Sequence, residues 1–478
     1  MISKRYAYKF AFRFHRSVKS DGYMINKTIA AISTAYGKGG VAMIRISGDS
    51  ALEVALRVFK TSAKEIKPRY CYYGSILRDN DIIDDGTMTF FKAPNSYTGE
   101  DVCEICCHGG IYATRAVLES VLSQGAVLAG AGEFTRRAYL NGKLTLSRAE
   151  AVGHVIDAKT DYQLRLSSST ARGVLSNKIA SIREKIISLI TRSYATIDYP
   201  DEDITDNTRD EMVDTLCSVF SDVSSLKKSY KAGKAVSEGV KTAIIGKPNA
   251  GKSSLYNLLL GEDLAIVTDI AGTTRDIIEN TASIGGVTLN LADTAGIHET
   301  SDVVEKIGVE RAKSKIESSE LVLCVFDSST PETNEDVFII DSAKDKTAVA
   351  IINKNDKENM LSYEFESKIK ETFENVIYMS AKDTDSREKL AEIIKNMYEL
   401  GEIDISNDAV ISSARQFSAV SLALESITQA KEALEFGETP DIICFTLEKA
   451  LSELDMIDAR ETSEEIVNEI FSRFCVGK

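Results

Sequence analysis

Hydrophobic and polar positions change their spacing along the chain, and each change marks a candidate domain. Between Met24 and Asn141, short apolar or alternating runs separate two glycine-rich joints, at 37–40 and 108–110. The runs predict strands at 28–34, 41–47, 69–77, 87–91 and 101–107, and helices at 51–59 and 111–123. We predict a compact α+β domain over residues 24–141.

From residue 142 the apolar residues repeat every three or four positions, which is the spacing of amphipathic helices. Ile179, Ile182 and Ile186 are one such stripe, and similar stripes return after residue 401. Core packing is the default interpretation of these stripes. We predict one all-helical domain in two segments, 142–238 and 401–478; two independent helical domains are the alternative.

Between 239 and 400, apolar strand-like runs alternate with helical segments. The runs lie at 242–245, 287–291, 321–326, 347–352 and 376–379. Such alternation predicts a doubly wound sheet covered by helices on both faces. Because domain termini usually lie close together, this α/β domain can be inserted in the helical domain. The predicted fold class is therefore multidomain α/β.

Composition narrows the classes of protein. The chain has 478 residues and a net charge of -15, which argues against a broad nucleic-acid-coating surface but leaves a local RNA contact open. No apolar run approaches the length of a membrane span. The eight cysteines are scattered, which suits a reducing compartment. We expect a cytoplasmic protein without a membrane partner.

Two stretches each allow two interpretations. The run Cys103-Glu104-Ile105-Cys106-Cys107-His108 could bind a metal, but in a strand Cys103 and Cys107 face away from Cys106 and His108, so we favour a structural role. Residues 1–23 carry six basic residues and one acid. They could form a transit peptide or an RNA-binding arm; we favour a disordered extension, or a start at Met24.

The strongest chemical signal is the run Gly246-Lys247-Pro248-Asn249-Ala250-Gly251-Lys252-Ser253. It follows a predicted strand and precedes a predicted helix, the setting in which backbone N–H groups and a helix N-terminus surround a phosphate. In this pattern Lys252 contacts the outer phosphates and Ser253 binds Mg²⁺. The run predicts a P-loop nucleotide site.

Later motifs at strand ends indicate which nucleotide this site binds. Asp293 can serve Mg²⁺ through water, and Asp356 can accept hydrogen bonds from guanine N1 and its exocyclic N2, which adenine does not offer. Thr274 is our choice for the threonine that completes Mg²⁺ coordination when the γ-phosphate is present. We therefore predict a Ras-like GTPase domain. The predicted nucleotide-binding residues are Asn249, Ala250, Gly251, Lys252, Ser253, Ser254, Thr268, Asp269, Ile270, Ala271, Gly272, Thr273, Thr274, Asp293, Thr294, Ala295, Gly296, Asn353, Lys354, Asp356, Ser380, Ala381 and Lys382.

The residue after Gly296 is Ile297, whose alkyl side chain cannot orient an attacking water as the glutamine of Ras does. Hydrolysis then needs another polar group and a cation in place of an arginine finger. Glu299, Glu305, Arg275 and a bound monovalent cation are the candidates, and the sequence does not choose among them.

Seven motifs resemble those of a known family. They are GKPNAGKSS at 246–254, GTTRD at 272–276, DTAG at 293–296, FCVGK at 474–478, PNSYTGED at 94–101, GEFT at 132–135 and LNGKL at 140–144. Together they resemble the MnmE (also called TrmE) family of tRNA-modification GTPases, from Met24 to Lys478. Ala131, and the pair Ala35-Tyr36, stand where that family commonly has proline.

The resemblance implies a K⁺-stimulated GTPase whose G domains meet across a homodimer when GTP binds. By that resemblance Asn249 binds K⁺, with the backbone around Thr268, Ile270 and Thr273, and K⁺ replaces the arginine finger. Glu305 then orients the attacking water. The implied catalytic residues are Glu305, Lys252 and Asn249, with Ser253 and Thr274 on Mg²⁺.

The resemblance also implies that the first domain binds a tetrahydrofolate one-carbon donor, in its 5-formyl or 5,10-methylene form. Its matched contacts are Arg45, Glu104, Lys143 and Lys478. Cys475 matches the family ending and is either a possible tRNA-modification residue or an idle tail cysteine. The first domain is expected to contribute to dimerisation.

The implied function is modification of the wobble uridine of tRNA to a 5-carboxymethylaminomethyl or aminomethyl form. FAD is expected only on a partner protein, MnmG (also called GidA). A regulatory GTP switch that binds RNA without modifying it is one rival. A folate-dependent one-carbon enzyme with a dispensable G domain is another.

Overall fold

The structure is a computed structural model, and it describes residues 27–198, 207–261, 280–291, 313–383, 385–458, 464–472 and 474–477. The chain forms two compact units, which are treated separately. The first contains residues 1–144 together with 463–478, and the second contains residues 145–462. The basic stretch 1–23 lies outside the described residues.

The first unit is built on a mixed seven-stranded sheet. Its strands are β1 (Ile29–Ile32), β2 (Val41–Ser47), β3 (Phe59–Lys60), β4 (Cys71–Arg78), β5 (Asp81–Phe91), β6 (Val102–His108) and β7 (Val127–Leu128). Their spatial order is β3-β4-β5-β6-β2-β1-β7. The helices are Ala51–Val58, Ile111–Ser123, Glu133–Leu140 and Glu464–Ser472.

Alternation along the strands gives this sheet two different faces. Ile44 and Ile46 of β2 pack under the helices Ala51–Val58 and Ile111–Ser123. Arg45, between them in sequence, lies on the opposite face, where Ile29 and Ala31 contact Phe134 of the helix Glu133–Leu140. The opposite face therefore carries the polar residues of interest.

The second unit contains a six-stranded sheet. Its strands are β8 (Val240–Ile245), β9 (Asn280–Ile284), β10 (Val287–Leu291), β11 (Leu321–Asp327), β12 (Ala348–Asn353) and β13 (Asn375–Met379), in the order β13-β12-β11-β8-β10-β9. All pairs are parallel except β9 with β10. Its helices are Lys252–Leu260, Asn334–Ala343, Tyr363–Thr372 and Asp385–Met397. Apolar cores lie on both faces, which confirms the doubly wound sheet.

The remaining helices of the second unit share one core although they flank the sheet domain in sequence. Before the sheet they are Leu146–Asp157, Asp161–Arg172, Val174–Asp198, Asn207–Lys228 and Tyr230–Ser237; after it they are Ala414–Phe436 and Pro440–Asp458. Ile182, Val219, Ile427 and Leu447, one from each of four of these helices, belong to a single buried cluster. The sheet domain is thus an insertion, and two independent helical domains are excluded.

Some features differ from the sequence-based expectation. Strand β9 was not predicted, because within its described side chains at 281–284 the two buried residues, Ala282 and Ile284, alternate with half-buried polar ones. Residues 463–478 group with the first unit, whereas we expected them with the helices. The domain bounds 24–141, 142–238, 239–400 and 401–478 stay predictions. Among the described residues, no helix is both long and apolar enough to cross a bilayer.

Strand β6 confirms the structural interpretation of the Cys103–His108 run. Cys103 and Cys107 point into the core, while Cys106 is half-buried and His108 is exposed. Burial raises the pKa of Cys107 to about 11, so its thiol stays protonated at neutral pH. In the described ranges no group of three or more His, Cys, Asp or Glu side chains is placed to hold a metal.

Candidate functional site

The phosphate-binding loop connects β8 to the helix Lys252–Leu260. Asn249 has φ 60° and Gly251 has φ 102°, so the loop turns twice through the left-handed region. A Cβ atom at Gly246 would lie 2.5 Å from the carbonyl oxygen of Val325, and one at Gly251 would lie 2.1 Å from Nδ2 of Asn353. Both glycines are therefore required by close backbone approach.

Lys252 bridges the loop from the first turn of this helix. Its Nζ donates to the carbonyl oxygens of Gly246 at 2.7 Å and Lys247 at 2.8 Å. An ammonium group has three N–H donors, so one remains for a phosphate oxygen. Burial lowers the pKa of Lys252 from its ordinary value. The position of Lys252 Nζ suits a group that donates a hydrogen bond to the outer phosphates of a nucleotide.

Asn353, at the end of β12, links the phosphate loop to the base-reading segments. Its Nδ2 donates to the Ala250 carbonyl at 2.8 Å, and its Oδ1 accepts from the Ala381 N–H at 2.9 Å. The side chain is buried. The structure thus brings together three segments that the sequence assigned to one nucleotide.

Lys354 follows with a left-handed backbone, at φ 65°. Its Nζ lies 2.5 Å from Oδ2 of Asp327 at the end of β11. Burial would raise the pKa of Asp327, but hydrogen bonds from Lys354 and Ser329 lower it below its ordinary value. Asp327 is a supporting residue that the sequence analysis did not single out.

Asp356 is exposed beside Ser380 and lines an open cavity of about 520 Å³ together with Lys382. A hydrogen bond from the Ser380 side chain holds the pKa of Asp356 below its ordinary value. The carboxylate is therefore charged at neutral pH and accepts hydrogen bonds. This is the chemistry needed to read guanine N1 and N2.

Lys247 forms a second contact that holds the phosphate loop, a buried ion pair with Asp336. Its Nζ lies 2.9 Å from Oδ2 of Asp336, and the side chains are 10% and 1% exposed. The same Oδ2 accepts from the N–H and hydroxyl of Thr333, the N-cap of the helix Asn334–Ala343. No local pattern links residues 89 positions apart, so this pair was missed.

Several predicted site residues lie outside the described residues. They are Thr268, Asp269, Ile270, Ala271, Gly272, Thr273, Thr274, Asp293, Thr294, Ala295, Gly296, Glu305 and Lys478. Ser253 and Ser254 are described, and both are exposed at the start of the helix that follows the loop.

The first unit brings Arg45 and Glu104 together, as cross-strand neighbours of β2 and β6. Arg45 Nε lies 2.9 Å from Oε1 of Glu104. The guanidinium also lies 5.4 Å from the ring centre of Tyr97 and 5.6 Å from that of Phe134. Arg45 is thus fixed between two aromatic rings beside a carboxylate.

The C-terminal residues of the chain also contact Arg45. The carbonyl oxygen of Gly477 accepts from the hydroxyl of Ser33 at 2.9 Å and from Arg45 Nη1 at 3.5 Å. Val476 forms a β-bridge with Ala131, and Cys475 is exposed. The tail is therefore placed at the Arg45 site by backbone contacts.

Lys143 contacts the loop that carries PNSYTGED, where its Nζ donates to the Pro94 carbonyl at 2.9 Å. Arg137 holds the same loop to the helix Glu133–Leu140, with ion pairs to Glu100 at 3.1 Å and Glu133 at 2.8 Å. Arg137 is nearly buried, and the sequence analysis missed it. The spacing of Glu133 and Arg137, four residues apart on one helix, was the available signal for half of this contact.

Comparisons with known proteins cover nearly the whole chain. The family profile described as "MnmE helical domain" matches residues 146–475, and the profile "GTP-binding protein TrmE N-terminus" matches residues 28–143. The tRNA modification GTPase MnmE of Clostridioides difficile (strain 630) is 42% identical over 460 residues, 95% of this chain and 100% of that protein.

The tRNA modification GTPase MnmE of Thermoanaerobacter pseudethanolicus (strain ATCC 33223 / 39E) is 40% identical over 463 residues, 95% of this chain and 100% of that protein. The FeoB G domain of Methanococcus jannaschii aligns with 34% of this chain and 98% of its own, at 21% identity and a TM-score of 0.24, which adds no argument. With both family profiles matched and identity of this level over 95% of its length, the chain belongs to the MnmE family of tRNA modification GTPases.

Proposed function

We propose that this GTPase drives modification of the wobble uridine of tRNA, to a 5-carboxymethylaminomethyl or aminomethyl form, together with an FAD-dependent MnmG partner. GTP turnover opens and closes its G domains and thereby switches the complex. The observation that carries the GTPase part is the link made by Asn353 between Ala250 of the phosphate loop and Ala381 beside the base-reading Asp356.

K⁺ and Mg²⁺ are the proposed ions of the GTPase site. The Asn249 amide supplies an oxygen for K⁺ at a left-handed turn of the loop, and the backbone around Thr268, Ile270 and Thr273 completes the set. The Ser253 hydroxyl is a hard ligand suited to Mg²⁺, with Thr274 as its second protein ligand. Bound K⁺ supplies positive charge where the γ-phosphate develops negative charge.

The chain's own side chains have separate roles in this proposal. Lys252 has one N–H free for the outer phosphates, and Asp356 fixes the guanine. Glu305 orients the attacking water, through a second water where needed. Ile297, which follows the Asp293–Gly296 segment, cannot do so because it has no polar atom.

Arg45 and Glu104 are the proposed centre of a tetrahydrofolate site. A guanidinium between aromatic rings suits the anionic glutamate tail or the π-face of a folate, and a carboxylate suits the N–H donors of its pterin ring. Lys143 and Lys478 are proposed as further contacts. The hydrogen bond from Arg45 to the Gly477 carbonyl supports a role for the tail, and Cys475, two residues before Gly477, is proposed as its reactive residue.

Homodimer formation and a cytoplasmic location belong to the same proposal. The experiment that tests it is deletion of the gene followed by mass spectrometry of wobble nucleosides. Loss of the modified uridine is expected, and its return requires a wild-type copy. An unchanged nucleoside profile would favour a regulatory GTP switch that binds RNA without modifying it.

The rival with a dispensable G domain is tested in the same strain. We expect a copy carrying Lys252→Ala to leave the uridine unmodified, because the ammonium group that meets the outer phosphates is gone. Full modification by that copy would instead favour a folate-dependent one-carbon enzyme whose G domain is only regulatory.

A further inference from the structure

Five exposed cations lie between the last residue of β3 and the start of β4, and directly after β5, in the first unit. They are Lys60, Lys64, Lys67, Arg69 and Lys92, and they are called the basic strip below. Within the described ranges none of them forms an ion pair, whereas many other cations of the chain do. Between residues 60 and 71 the one acid is Glu65. The strip is a local excess of positive charge on a protein of net charge -15.

The loop that carries most of the strip is held against the sheet. The Thr61 hydroxyl donates to the Tyr73 carbonyl at 3.0 Å, and the Lys67 N–H donates to Tyr72 Oη at 2.7 Å. The Arg69 N–H donates to the Phe90 carbonyl at 2.7 Å. These contacts give the cations a fixed backbone, so their spacing is set before any partner binds.

Two tyrosines extend from the same surface. Tyr70 is 61% exposed and Tyr73 is 71% exposed, whereas Tyr72 packs against the core. Exposed aromatic rings among unpaired cations are the arrangement on which nucleic-acid bases stack while the phosphates are neutralised. Charge alone would suit any polyanion; the two rings favour RNA with unstacked bases over an acidic protein surface.

One row of strand pairs runs from the start of β4, where the strip ends, to Arg45, whereas Ile66 and Tyr72, beside Lys67, pack against the core on the opposite face. Cys71 pairs with Thr89, Thr89 with Glu104, and Glu104 with Arg45, all in one row across four strands. At about 4.8 Å per strand, Cys71 is roughly 14 Å from Arg45. Tyr73 is two residues after Cys71 and so shares its face of β4, and a base stacked on Tyr73 therefore lies on the side of the sheet that carries Arg45.

We propose that the basic strip, with Tyr70 and Tyr73, is a docking surface for the substrate tRNA. The strip neutralises backbone phosphates, and the two rings stack on bases of a single-stranded loop. This inference rests on the proposed function, since it takes the tRNA to be modified as its ligand. A second copy of this chain and an acidic protein are the alternative occupants.

The test measures binding of a full-length, unmodified tRNA transcript to the full-length protein as a function of KCl concentration. The variant K64Q/K67Q/K92Q removes three strip charges and alters no residue with a left-handed backbone. Its matched control is K228Q/K344Q/K449Q, three exposed lysines of the second unit that form no ion pair among the described residues. Amide hydrogen exchange of β4 and β5 checks that the first unit is folded in the strip variant, and GTP hydrolysis without tRNA checks the second unit in both variants.

We expect the strip variant to bind at least about tenfold more weakly, and its slope of log K against log salt to fall by about 2 to 3. The control should match the wild type, and both variants should hydrolyse GTP normally. Tyr73→Ala should weaken binding without changing the slope, and Tyr73→Phe should restore it.

Unchanged affinity and slope in the strip variant, or an equal loss in the control, would overturn the docking surface and leave the proposed function standing. A strip variant with altered oligomeric state in light scattering would assign the strip to a second copy. Failure of the wild type to bind the transcript, together with an unchanged nucleoside profile on gene deletion, would overturn both proposals.

Discussion

Lys247 of the phosphate loop and Asp336 of the helix Asn334–Ala343 form an ion pair that is almost fully removed from solvent. Oδ1 of Asp336 is buried without a hydrogen-bond partner, so the charge of this carboxylate is balanced through Oδ2 alone. The phosphate loop is therefore fixed at one end by a buried carboxylate that lies 89 residues away in the sequence.

Removing Lys247 should destabilise the phosphate loop strongly. Lys247→Met leaves the Asp336 carboxylate buried and unpaired, at a cost of about 3–5 kcal/mol in local unfolding free energy. Because the chain has two units, the effect is best measured locally, by amide hydrogen exchange of residues 246–251 and 334–343. Lys247→Arg should retain most of the protection.

The matched control is Lys368→Met, which breaks an exposed ion pair with Asp341. Side-chain exposures of 42% and 61% predict a cost below about 1 kcal/mol. Equal loss of protection in the two variants would show that burial of the Lys247 pair does not matter.

Asn353→Ala should weaken nucleotide binding. It leaves the Ala250 carbonyl and the Ala381 N–H without their buried partner, and each such group costs about 1–3 kcal/mol. A loss of tenfold or more in affinity for a fluorescent GTP analogue is expected. The control is Asn396→Ala, an exposed asparagine of the helix Asp385–Met397 that does not line the cavity beside Asp356 and should bind normally; a similar loss there would contradict the role of Asn353.

Asp356→Asn should change the base that the enzyme prefers. The carboxylate accepts two hydrogen bonds from guanine, and hydrogen bonds to charged groups contribute about 1.5–3 kcal/mol, so kcat/KM for GTP should fall by roughly 10–100-fold. An amide at this position donates to the 2-oxo group of xanthine. Hydrolysis of xanthosine triphosphate should rise in the same variant, and an unaltered GTP preference would rule out base reading by Asp356.

His108 and Asp84 predict a pH-dependent contact in the first unit. His108 Nδ1 lies 2.6 Å from Oδ1 of Asp84, and the hydrogen bond that the protonated imidazole donates to this carboxylate raises the pKa of His108 above 6.5. Burial alone would raise the pKa of Asp84, but hydrogen bonds from His108 and Asp85 lower it below 3.8. The ion pair should therefore stabilise the unit between these two limits.

The direction in which stability changes with pH follows from each of these two pKa shifts. The His108 contribution is complete below its unfolded pKa and is lost as pH rises through the raised folded pKa; the Asp84 contribution is lost as pH falls through its lowered folded pKa. With four histidines in the chain, NMR titration can resolve His108. Asp84→Asn should lower its pKa towards 6.5, and an unchanged value would disprove the pairing.

Much of the fold follows from local pattern. Strands β8 and β10 to β12 are mostly buried on both faces, and the edge strand β13 carries the short apolar run 376–379, so these five strands were visible in the sequence. Strand β9 was not, since an edge strand buries only part of its side chains and carries no continuous apolar run. The two-residue strands β3 and β7 are too short to give a period.

The residues of the candidate site also divide into those that the sequence predicts and those that it does not. Motif residues such as Asn353 and Lys252 were predicted because each sits at a fixed spacing beside a strand end. Lys247 with Asp336 and Arg137 with Glu100 could not be paired, because their partners are brought near only by the tertiary fold. The roles of Thr274, Asp293 and Glu305 stay predictions, since these residues lie outside the described part of the chain.

K⁺ bound by Asn249 is proposed to supply the positive charge for GTP hydrolysis. The direct measurement is kcat for GTP in KCl and in NaCl at equal ionic strength, for the wild type and for Asn249→Gly. Glycine keeps the left-handed backbone at φ 60° without the amide, so loop strain does not confuse the result. We predict a much higher kcat in KCl for the wild type, and equal low values in both salts for Asn249→Gly. Equal wild-type rates in the two salts would contradict the claim.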